Sequence, residues 1–340
     1  MYSFNNDYSE GAHPKILEAM INGNLIQQKG YGLDDHCSRA RALIRQEIGR
    51  KDADIHFITG GTQTNLITIG TALRPWQAVI STDKAHINVH ETGAIEATGH
   101  KVLAMPCKDG KLTPAHILNA LDLHTDEHMV QPKMVYISNA TEVGTQYSKQ
   151  ELEALYHICR QKDLYLFLDG ARIGSALTSS GNDLTLEDIA NLTDVFYIGG
   201  TKGGALFGEA LVICHPDLKP DFRFMVKQRG AMLAKGWLLG IQFEELFSNN
   251  LFYDLASHSN NMSAILRKGI EACGYSFLSD SMTNQLFPIL PDKIIKTLEN
   301  DFLFSTQERI DESHTCIRLV TSWATKEDEC HQFISLLKTL

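Results

Sequence analysis

The sequence predicts an α/β protein, in which a large domain with a mainly parallel sheet is followed by a smaller α+β domain at the carboxyl end. Three observations support this prediction. Short apolar runs alternate with helix-like segments until about Gly236, the alternation then stops, and 340 residues exceed the usual size of one domain. We divide the chain into an N-terminal segment (1–40), a large domain (41–247) and a small domain (248–340).

Seven apolar runs of four or five residues are predicted to be strands, and their Gly or polar boundaries are typical of strands buried on both faces. In chain order these runs are Ile55–Ile58, Ala78–Ser81, Lys101–Ala104, Met134–Ser138, Leu164–Leu168, Val195–Ile198 and Ala210–Cys214. Helical spacing predicts the main helices, which are Leu66–Leu73, Gln150–Gln161, Leu186–Ile189, Gly236–Phe247 and a segment around Ala256–Cys273. Asp122–Lys133 is polar and is interpreted as a surface connection, whereas Gln285–Leu290 and Cys316–Trp323 belong to the small domain.

Composition limits the kinds of partner. A formal net charge of -10 argues against general affinity for nucleic acid or anionic membranes, so small molecules are the expected partners. The seven cysteines are dispersed and form no Cys-x-x-Cys pair, which favours reduced thiols over disulfides or a structural zinc site. Neither a signal peptide nor a membrane-length apolar stretch is evident, and we expect a cytoplasmic protein.

An acid and an amine follow two of the predicted strands. Asp169 directly follows Leu164–Leu168, and Lys202 follows Val195–Ile198 through Gly-Gly-Thr. In open α/β sheets ligands bind beyond such strand ends, where a buried carboxylate needs a cationic partner and burial lowers the pKa of a lysine. Pyridoxal phosphate (PLP) needs both groups, because it forms a Schiff base with a lysine and keeps its ring nitrogen protonated against an aspartate. The alternative is a turn-capping Asp169 and a solvated Lys202.

A phosphate cradle is predicted in the run GGTQTN (60–65), between the first strand and the helix Leu66–Leu73. Glycines let the backbone approach an anion, and the first amides of a helix point at it with the favourable end of the dipole. The expected contacts are Gly61, Thr62 and Gln63. The run lacks the Lys-Ser/Thr of a P-loop and the spacing of a dinucleotide fingerprint, which disfavours nucleotides, and a simple capped turn is the alternative.

His86 and His90 are four residues apart and would share one face of a helix. This spacing permits a metal site, but no convincing third ligand accompanies the pair, so we predict no metal. Instead we expect the flat imidazole of His86 to lie over a cofactor ring, with Glu91 nearby. Two surface histidines are the alternative.

Two arginines are candidates for binding an anionic substrate. Arg172 lies three residues beyond Asp169 and would project into the same cleft. Arg318 interrupts the apolar run Ile317–Val320, where a buried guanidinium requires an anionic partner such as a substrate carboxylate. A structural salt bridge is the alternative interpretation of Arg318.

Taken in order, the segments GGTQTN, HINVHETGA, DGAR and GGTKGG resemble the threonine aldolase branch of the fold type I, aspartate aminotransferase-like PLP enzymes. The closing RLVTSWAT agrees, so the resemblance spans almost the whole chain. It implies an aspartate aminotransferase-like fold, PLP as cofactor, and retro-aldol cleavage of a β-hydroxy-α-amino acid (threonine, allo-threonine or phenylserine) to glycine and an aldehyde. It also implies a homodimer or homotetramer whose subunits share the active site.

The resemblance implies roles for individual residues as well. Lys202 would hold PLP as a Schiff base, Asp169 would pair with the ring nitrogen, and His86 would stack on the ring. The residues implied for the phosphate are Gly61, Thr62 and Thr201. Those implied for the substrate carboxylate are Arg172, Arg318 and, from the N-terminal segment, Asn6.

The chain departs from the family's pattern in two places. Family members usually have an Asn-Thr-His-Asn segment whose histidine lies near the substrate β-hydroxyl, and here Glu142 replaces that histidine. The proton acceptor is therefore Glu142, His86 or a bound water. Where a neighbouring subunit usually supplies a phosphate-binding arginine, the chain has Leu233–Trp237, in which Lys235 is the expected substitute.

The alternative to an aldolase is a β-eliminating lyase or aminotransferase of the same fold. A non-catalytic or metal-dependent protein is the more distant alternative.

Overall fold

The structure, a computed structural model, describes residues 1–340 and contains thirteen strands and thirteen α-helices. The strands are β1 (Tyr2–Ser3), β2 (Asp54–Ile58), β3 (Gln77–Thr82), β4 (Lys101–Met105), β5 (Gln131–Ser138), β6 (Tyr165–Asp169), β7 (Val195–Gly199), β8 (Glu209–Ile213), β9 (Gln285–Leu286), β10 (Ile289–Pro291), β11 (Phe302–Leu303), β12 (Ser305–Arg309) and β13 (His314–Val320). The helices are α1 (Pro14–Gly23), α2 (Asp35–Glu47), α3 (Gly61–Ala72), α4 (His86–Val89), α5 (Pro114–Asp122), α6 (Lys149–Gln161), α7 (Ile173–Leu177), α8 (Leu186–Leu192), α9 (Phe222–Gln228), α10 (Trp237–Phe247), α11 (Leu251–Ala272), α12 (Asp292–Leu298) and α13 (Glu327–Thr339). None of these helices has the length and apolar character needed to span a bilayer.

The large domain is built on one seven-stranded sheet with the order β2-β8-β7-β6-β5-β3-β4. The pairs from β7 to β4 are parallel, and β8 runs antiparallel to its neighbours β2 and β7. All seven predicted strands are therefore confirmed, as is the mainly parallel sheet. Parallel neighbours require long crossover connections, which explains why helices separate these strands along the chain.

Apolar side chains on both faces of the sheet hold it between two layers of helices. On β6, Leu166 and Leu168 enter one hydrophobic core, whereas Phe167 enters the other. On β7, Phe196 and Tyr197 divide between the two cores in the same way. Burial of one large apolar side chain contributes about 1.5–3 kcal/mol, so a strand covered on both faces favours a continuous apolar run.

The carboxyl ends of β2, β3, β5, β6 and β7 meet along one edge of the sheet. The antiparallel strand β8 begins at this same edge, since Glu209 pairs with Ile58 at the end of β2 and with Gly199 at the end of β7. The segments that follow these strand ends come together there, at the place where open α/β sheets bind ligands.

The C-terminal part folds around a core of its own. Strand β13 pairs antiparallel with β9, β10 and β12, and helices α11, α12 and α13 supply much of the core. Helix α11 joins the two parts, because Leu251 and Phe252 pack in the large domain and Leu266 and Ile270 pack in the small one. Strand β1 pairs with β11, and Phe4 lies in the small core, so the chain starts on the small domain.

Two local expectations differ from the structure. Asp122–Lys133 is not a connection throughout, because Gln131–Lys133 already belong to β5, where the Gln131 amide donates to the Trp76 carbonyl at 2.9 Å. Polar residues at the start of a strand escape an apolar pattern, so the sequence places this start too late. Helix α2, capped by the Asp34 side chain, runs through residue 40, which is the predicted end of the N-terminal segment.

Candidate active site

A cavity of about 360 Å³ opens where the strand ends converge. The turn before α3, helix α4, the segments after β5, β6 and β7, and the start of β8 bound it. The predicted site residues that line it are Gly61, Thr62, His86, Glu142, Asp169, Thr201 and Lys202. The acid and the amine that the sequence places after two strands therefore face one cavity.

Asp169 is buried in the wall of this cavity, and several donors hold its carboxylate. The Tyr197 hydroxyl donates to Oδ1 at 2.5 Å, and the Ala171 amide donates to the same oxygen at 3.0 Å. The Tyr136 hydroxyl donates to Oδ2, and Asn65 Nδ2 lies 3.4 Å from that oxygen. Burial and then the charge of Asp169 raise the pKa of both tyrosines well above the usual value, so both remain donors. These donors replace the hydration that the carboxylate loses and fix its orientation.

Lys202 lies between this cavity and a smaller one that Asp7 and Arg172 line. Burial, followed by the positive charge of Arg172, lowers the pKa of its ammonium group, against the opposing charges of Asp7, Glu142 and Asp169. A lysine with a lowered pKa presents more of the neutral amine that attacks a carbonyl group. Lys202 therefore has the character of a nucleophile.

The predicted phosphate cradle is a helix N-terminus with unused donors. Helix α3 begins without a side-chain cap, and the amides of Gly61, Thr62 and Gln63 donate no hydrogen bond within the protein. A Cβ placed on Gly60 would meet no atom within 4 Å, so the space beside the turn is open. Free amides at the positive end of a helix dipole bind anions, and this end of the cavity fits a phosphate group.

A buried acid stands beside the cradle. The Gly200 amide donates to Glu209 Oε2 at 3.0 Å, and Thr201 Oγ1 lies 3.0 Å from Glu209 Oε1. Thr201 Oγ1 also accepts a hydrogen bond from the Gly208 amide at 3.0 Å. Burial raises the pKa of Glu209 to about 8, although the hydrogen bond with Thr201 and the charge of Lys202 act to lower it.

His86 lies in the cavity wall with its ring against a buried acid. Its Nδ1 is 2.8 Å from Glu91 Oε1. Burial acts to lower the pKa of His86, but the hydrogen bond with Glu91 and the charges of Glu142 and Asp169 outweigh it, so the pKa is raised. The ring centroids of His86 and His90 are 5.6 Å apart, and no group of three or more His, Cys, Asp or Glu side chains is arranged to hold a metal ion.

Glu142 lies on the cavity wall after β5, and its carboxylate makes no hydrogen bond or ion pair with the protein. Its negative charge nevertheless acts to raise the pKa values of His86, Lys202 and Arg172, which places it near all three. An unpaired carboxylate inside a cavity is free to accept a proton from a bound molecule.

Arg172 is paired within the protein. Its Nε lies 2.6 Å from Asp7 Oδ2 and its Nη2 3.1 Å from Oδ1, and both side chains are buried. Asn284 Nδ2 donates to the same Asp7 carboxylate at 2.9 Å. The neighbouring Asn6 side chain accepts a hydrogen bond from the Tyr8 amide at 2.9 Å and makes no contact of this kind with Arg172. The substrate-binding roles of Arg172 and Asn6 stay predictions.

Arg318, unlike Arg172, has no partner within the protein. Its Nε is buried without any hydrogen-bond partner, and the guanidinium forms no ion pair within the protein. Burial and then the positive charge of Arg172 lower the pKa of Arg318, while the charges of Asp7 and Glu142 oppose this effect. A buried donor without an acceptor is unfavourable, so this side chain is available to bind an anion from outside the chain.

Two predicted cofactor contacts have side chains outside the cavity lining. The Gln63 side chain accepts a hydrogen bond from the Thr59 hydroxyl and donates to the Arg229 carbonyl at 3.0 Å. Lys235 is exposed just before α10, away from the cradle of its own chain. A cofactor role for the Gln63 side chain and for Lys235 stays a prediction.

Sequence reasoning omits several residues of this site, namely Asp7, Tyr136, Tyr197 and Glu209. The two tyrosines carry a usable signal, because a single hydroxyl inside a buried apolar strand needs a partner. Glu209 carries a weaker signal as an acid directly before a buried strand. Asp7 carries none, because its burial depends on contacts with the small domain that lie far away in the chain.

The residues around the cavity fit PLP. A buried amine, a carboxylate held by phenols and a row of free helix amides are the groups that its aldehyde, ring nitrogen and phosphate require. Arg318 Nε, which is buried without a hydrogen-bond partner, is available to bind a further anion. On a mainly parallel seven-stranded sheet with a small C-terminal domain, this set defines a fold type I PLP-dependent enzyme.

Comparisons with known proteins cover nearly the whole chain. A sequence model of the β-eliminating lyase family matches residues 7–292. The low specificity L-threonine aldolase of Pseudomonas aeruginosa is 30% identical over 298 residues, which are 87% of this chain and 86% of the relative. A solved structure of Leishmania major threonine aldolase is 59% identical with a TM-score of 0.99, over 100% of this chain and 99% of that chain. A mutant of Thermus thermophilus aspartate aminotransferase, 14% identical with a TM-score of 0.74 over 100% and 91%, shares the fold alone.

The chain belongs to the threonine aldolase branch of the β-eliminating lyase family. It is a PLP-dependent lyase with the aspartate aminotransferase-like fold. The predicted family, fold class and cofactor are thereby confirmed.

Proposed function

We propose that the protein cleaves a β-hydroxy-α-amino acid (threonine, allo-threonine or phenylserine) by a retro-aldol reaction to glycine and an aldehyde. The observation that carries the proposal is the carboxylate of Glu142, which faces the cofactor cavity without a partner in the protein. Retro-aldol cleavage requires a base at the β-hydroxyl, whereas transamination requires none at that atom. The relatives from P. aeruginosa and L. major, both named threonine aldolases, support the same reaction.

Three groups of this chain hold the cofactor in this proposal. Lys202 binds it covalently, Asp169 faces its ring nitrogen, and the free amides of α3 bind its phosphate together with Thr201. Bound PLP supplies the electron sink that takes up the electron pair of the broken Cα–Cβ bond. Tyr136 and Tyr197 contribute by fixing the Asp169 carboxylate before any ligand arrives.

The substrate carboxylate binds to Arg318, because this side chain forms no ion pair in the protein and its buried Nε lacks an acceptor. Arg172 lies near it and acts from a position that Asp7 fixes through Nε and Nη2, which leaves Nη1 for a ligand. Asn6 belongs to the same N-terminal segment as Asp7. A clamp on the carboxylate orients the substrate so that the bond to be broken stands perpendicular to the cofactor ring.

Glu142 is the group that accepts the proton of the β-hydroxyl. Its carboxylate is unpaired, whereas His86 Nδ1 already contacts Glu91 Oε1, and against the effect of burial this hydrogen bond raises the pKa of His86. His86 accordingly acts as the flat ring that lies over the cofactor.

A second copy of the chain completes the phosphate end. The cavity lining beside the cradle contains Glu209 and no arginine, so a phosphate dianion there lacks a full counter-charge. Lys235 is exposed and free to reach the cradle of a neighbouring copy. Large apolar side chains are also exposed between residues 17 and 33, including Ile21 at 74% and Leu25 at 91%, which is typical of a surface that another subunit covers. These features support a homodimer or homotetramer as part of the proposal.

A cytoplasmic location belongs to the same proposal. All seven cysteines are free and six are buried, which suits a compartment where thiols stay reduced. The expected partner is then a free amino acid from cellular metabolism, not a macromolecule.

The test is a substrate screen of the PLP-loaded protein with L-threonine, L-allo-threonine and phenylserine, followed by assay of glycine and aldehyde. Release of glycine with the matching aldehyde supports the proposal, whereas ammonia with a keto acid indicates elimination and contradicts it. In the same assay Glu142→Gln is expected to lower kcat by about 10²–10⁴-fold, because it removes the general base. The exposed Glu127→Gln serves as the matched control, and full turnover by Glu142→Gln would remove Glu142 as the base.

A further inference from the structure

Glu209 is a buried acid of the cavity that the proposed reaction does not use. In the sheet it pairs with Ile58 on one side and with Gly199 on the other. These two neighbours lead directly into the two segments assigned to the phosphate, the turn 60–62 and Thr201. Glu209 therefore lies between the two halves of the phosphate site.

An ionised carboxylate is unfavourable at this place. A bound phosphate monoester carries a charge of about -1.5 to -2, so an ionised Glu209 would repel it in a buried setting. Lys202 is the lysine of the cavity lining, and its amine is committed to the covalent bond with the cofactor. A neutral carboxylic acid removes the repulsion.

The hydrogen bonds around Thr201 show how the protonation of Glu209 changes the direction in which the Thr201 hydroxyl donates. Glu209 Oε2 accepts from the Gly200 amide, so Oε1 is the oxygen that meets Thr201 Oγ1. Thr201 Oγ1 already accepts from the Gly208 amide. If Glu209 is ionised, the Thr201 hydroxyl must donate to it and turns a lone pair toward the cavity. If Glu209 carries a proton, it donates to Thr201 Oγ1 and leaves the threonine hydrogen free.

We propose that Glu209 is a protonated positioning residue of the phosphate site, which donates to Thr201 Oγ1 so that the Thr201 hydroxyl is free to donate to the phosphate of the cofactor. The inference rests on the proposed PLP site. The surroundings of Glu209 favour its protonated form. Burial raises the pKa of Glu209 to about 8, and the charge of Asp169 acts in the same direction. The hydrogen bond with Thr201 and the charge of Lys202 act to lower this pKa. The other ionisable side chains of the cavity are Tyr8, His86, Glu142 and Tyr197.

The affinity for PLP is expected to depend on pH. The pKa of Glu209 rises from 4.5 to about 8 on folding, so its contribution to stability is complete below pH 4.5 and is lost as the pH rises through about 8. The phosphate favours the same protonated form. The affinity for PLP should therefore fall as the pH rises above about 8, and this loss should disappear when residue 209 has no proton to lose.

The experiment titrates cofactor-free, full-length protein with PLP and with pyridoxal between about pH 6 and about pH 10, in wild type and Glu209→Gln. The amide keeps the shape of the acid and still donates to Thr201. We expect the wild-type affinity for PLP to fall about tenfold more than that of the variant over this range, the equivalent of one pKa unit. Pyridoxal lacks the phosphate and should show no such difference.

The matched control is Asp194→Asn, which removes another buried acid at the opposite end of β7 and should keep the wild-type pH dependence. Equal pH profiles in wild type and Glu209→Gln, or the same flattening in Asp194→Asn, would overturn the proposal. A wild-type protein that binds no PLP at any pH would overturn the proposed function with it.

A measurement on the wild type alone covers the case in which Glu209→Gln does not fold. Infrared difference spectra across the same pH range should show the carbonyl stretch of a protonated carboxyl that disappears near pH 8. PLP should shift its disappearance to higher pH, and pyridoxal should not. Absence of this band, or a band that is insensitive to PLP, would contradict a protonated Glu209 at the phosphate site.

Discussion

The two ends of the cofactor cavity are built in different ways. At the ring end, Asp169 receives hydrogen bonds from Tyr136, Tyr197 and the Ala171 amide, all within one chain. At the phosphate end the amides of α3 have no partner, and the acid beside them is Glu209, which we propose to be protonated. The chemically reactive end is thus complete in a single copy, whereas the end that retains the cofactor relies on neutral donors and on the proposed second copy.

The largest expected effect comes from Lys202→Ala, which tests whether both ends serve one cofactor. The variant loses the amine that forms the covalent bond, so turnover should fall by at least about 10³-fold and the visible absorbance of bound PLP should disappear. Absorbance spectra before and after borohydride, together with a glycine assay, measure both effects. The exposed Lys162→Ala should behave as wild type, and an unchanged colour in Lys202→Ala would remove Lys202 from its role.

A smaller effect is expected at the ring end from Tyr136→Phe. The variant keeps the aromatic ring but removes the donor to Asp169 Oδ2, and a hydrogen bond to a charged group contributes about 1.5–3 kcal/mol. We expect the free energy of unfolding to fall by about 2 kcal/mol and kcat to fall about tenfold. Chemical denaturation and a steady-state assay measure the two losses.

The control for this change is Tyr165→Phe. Tyr165 lies on β6, the strand beside the one that carries Tyr136, and its hydroxyl makes no hydrogen bond in the protein. It should be nearly neutral. Equal behaviour of the two variants would mean that phenol donors do not organise the ring end.

The smallest effect is expected at the phosphate end from Lys235→Ala. An exposed lysine that reaches a partner's cradle contributes up to about 1 kcal/mol, so the affinity for PLP should fall by up to about fivefold and that for pyridoxal should not change. Equilibrium titration measures this, and sedimentation should show a dimer or tetramer in both proteins. Lys268→Ala on the small domain is the control, and wild-type affinity in Lys235→Ala would locate the missing charge elsewhere.

The same contrast explains how much of the site is predictable from sequence. Asp169, Lys202 and the GGT turn are predictable because each follows a continuous apolar run, and parallel strands bring their carboxyl ends to one edge. Those runs also locate all seven strands of the large sheet. Local patterning is sufficient wherever one strand determines the position of one side chain.

The remaining features depend on contacts between distant parts of the chain. Asp7 looks like a polar residue of a polar segment, and in the structure it is buried against Arg172 and Asn284, which are distant in the chain. Glu209 is the first residue of the antiparallel strand β8, so its approach to the phosphate turn depends on the register between β8 and β2. The proposed contribution of Lys235 depends on a second copy, which no spacing within the chain reveals.

The position of Asp7 has a practical consequence for work with this protein. The buried carboxylate of Asp7 holds Arg172, and strand β1 anchors the stretch before it to the small domain. A deletion or insertion between β1 and Asp7 would therefore disturb the position of Arg172. Leu340, which follows α13, is 46% exposed, so an attachment at this residue is expected to disturb the fold less than one near β1.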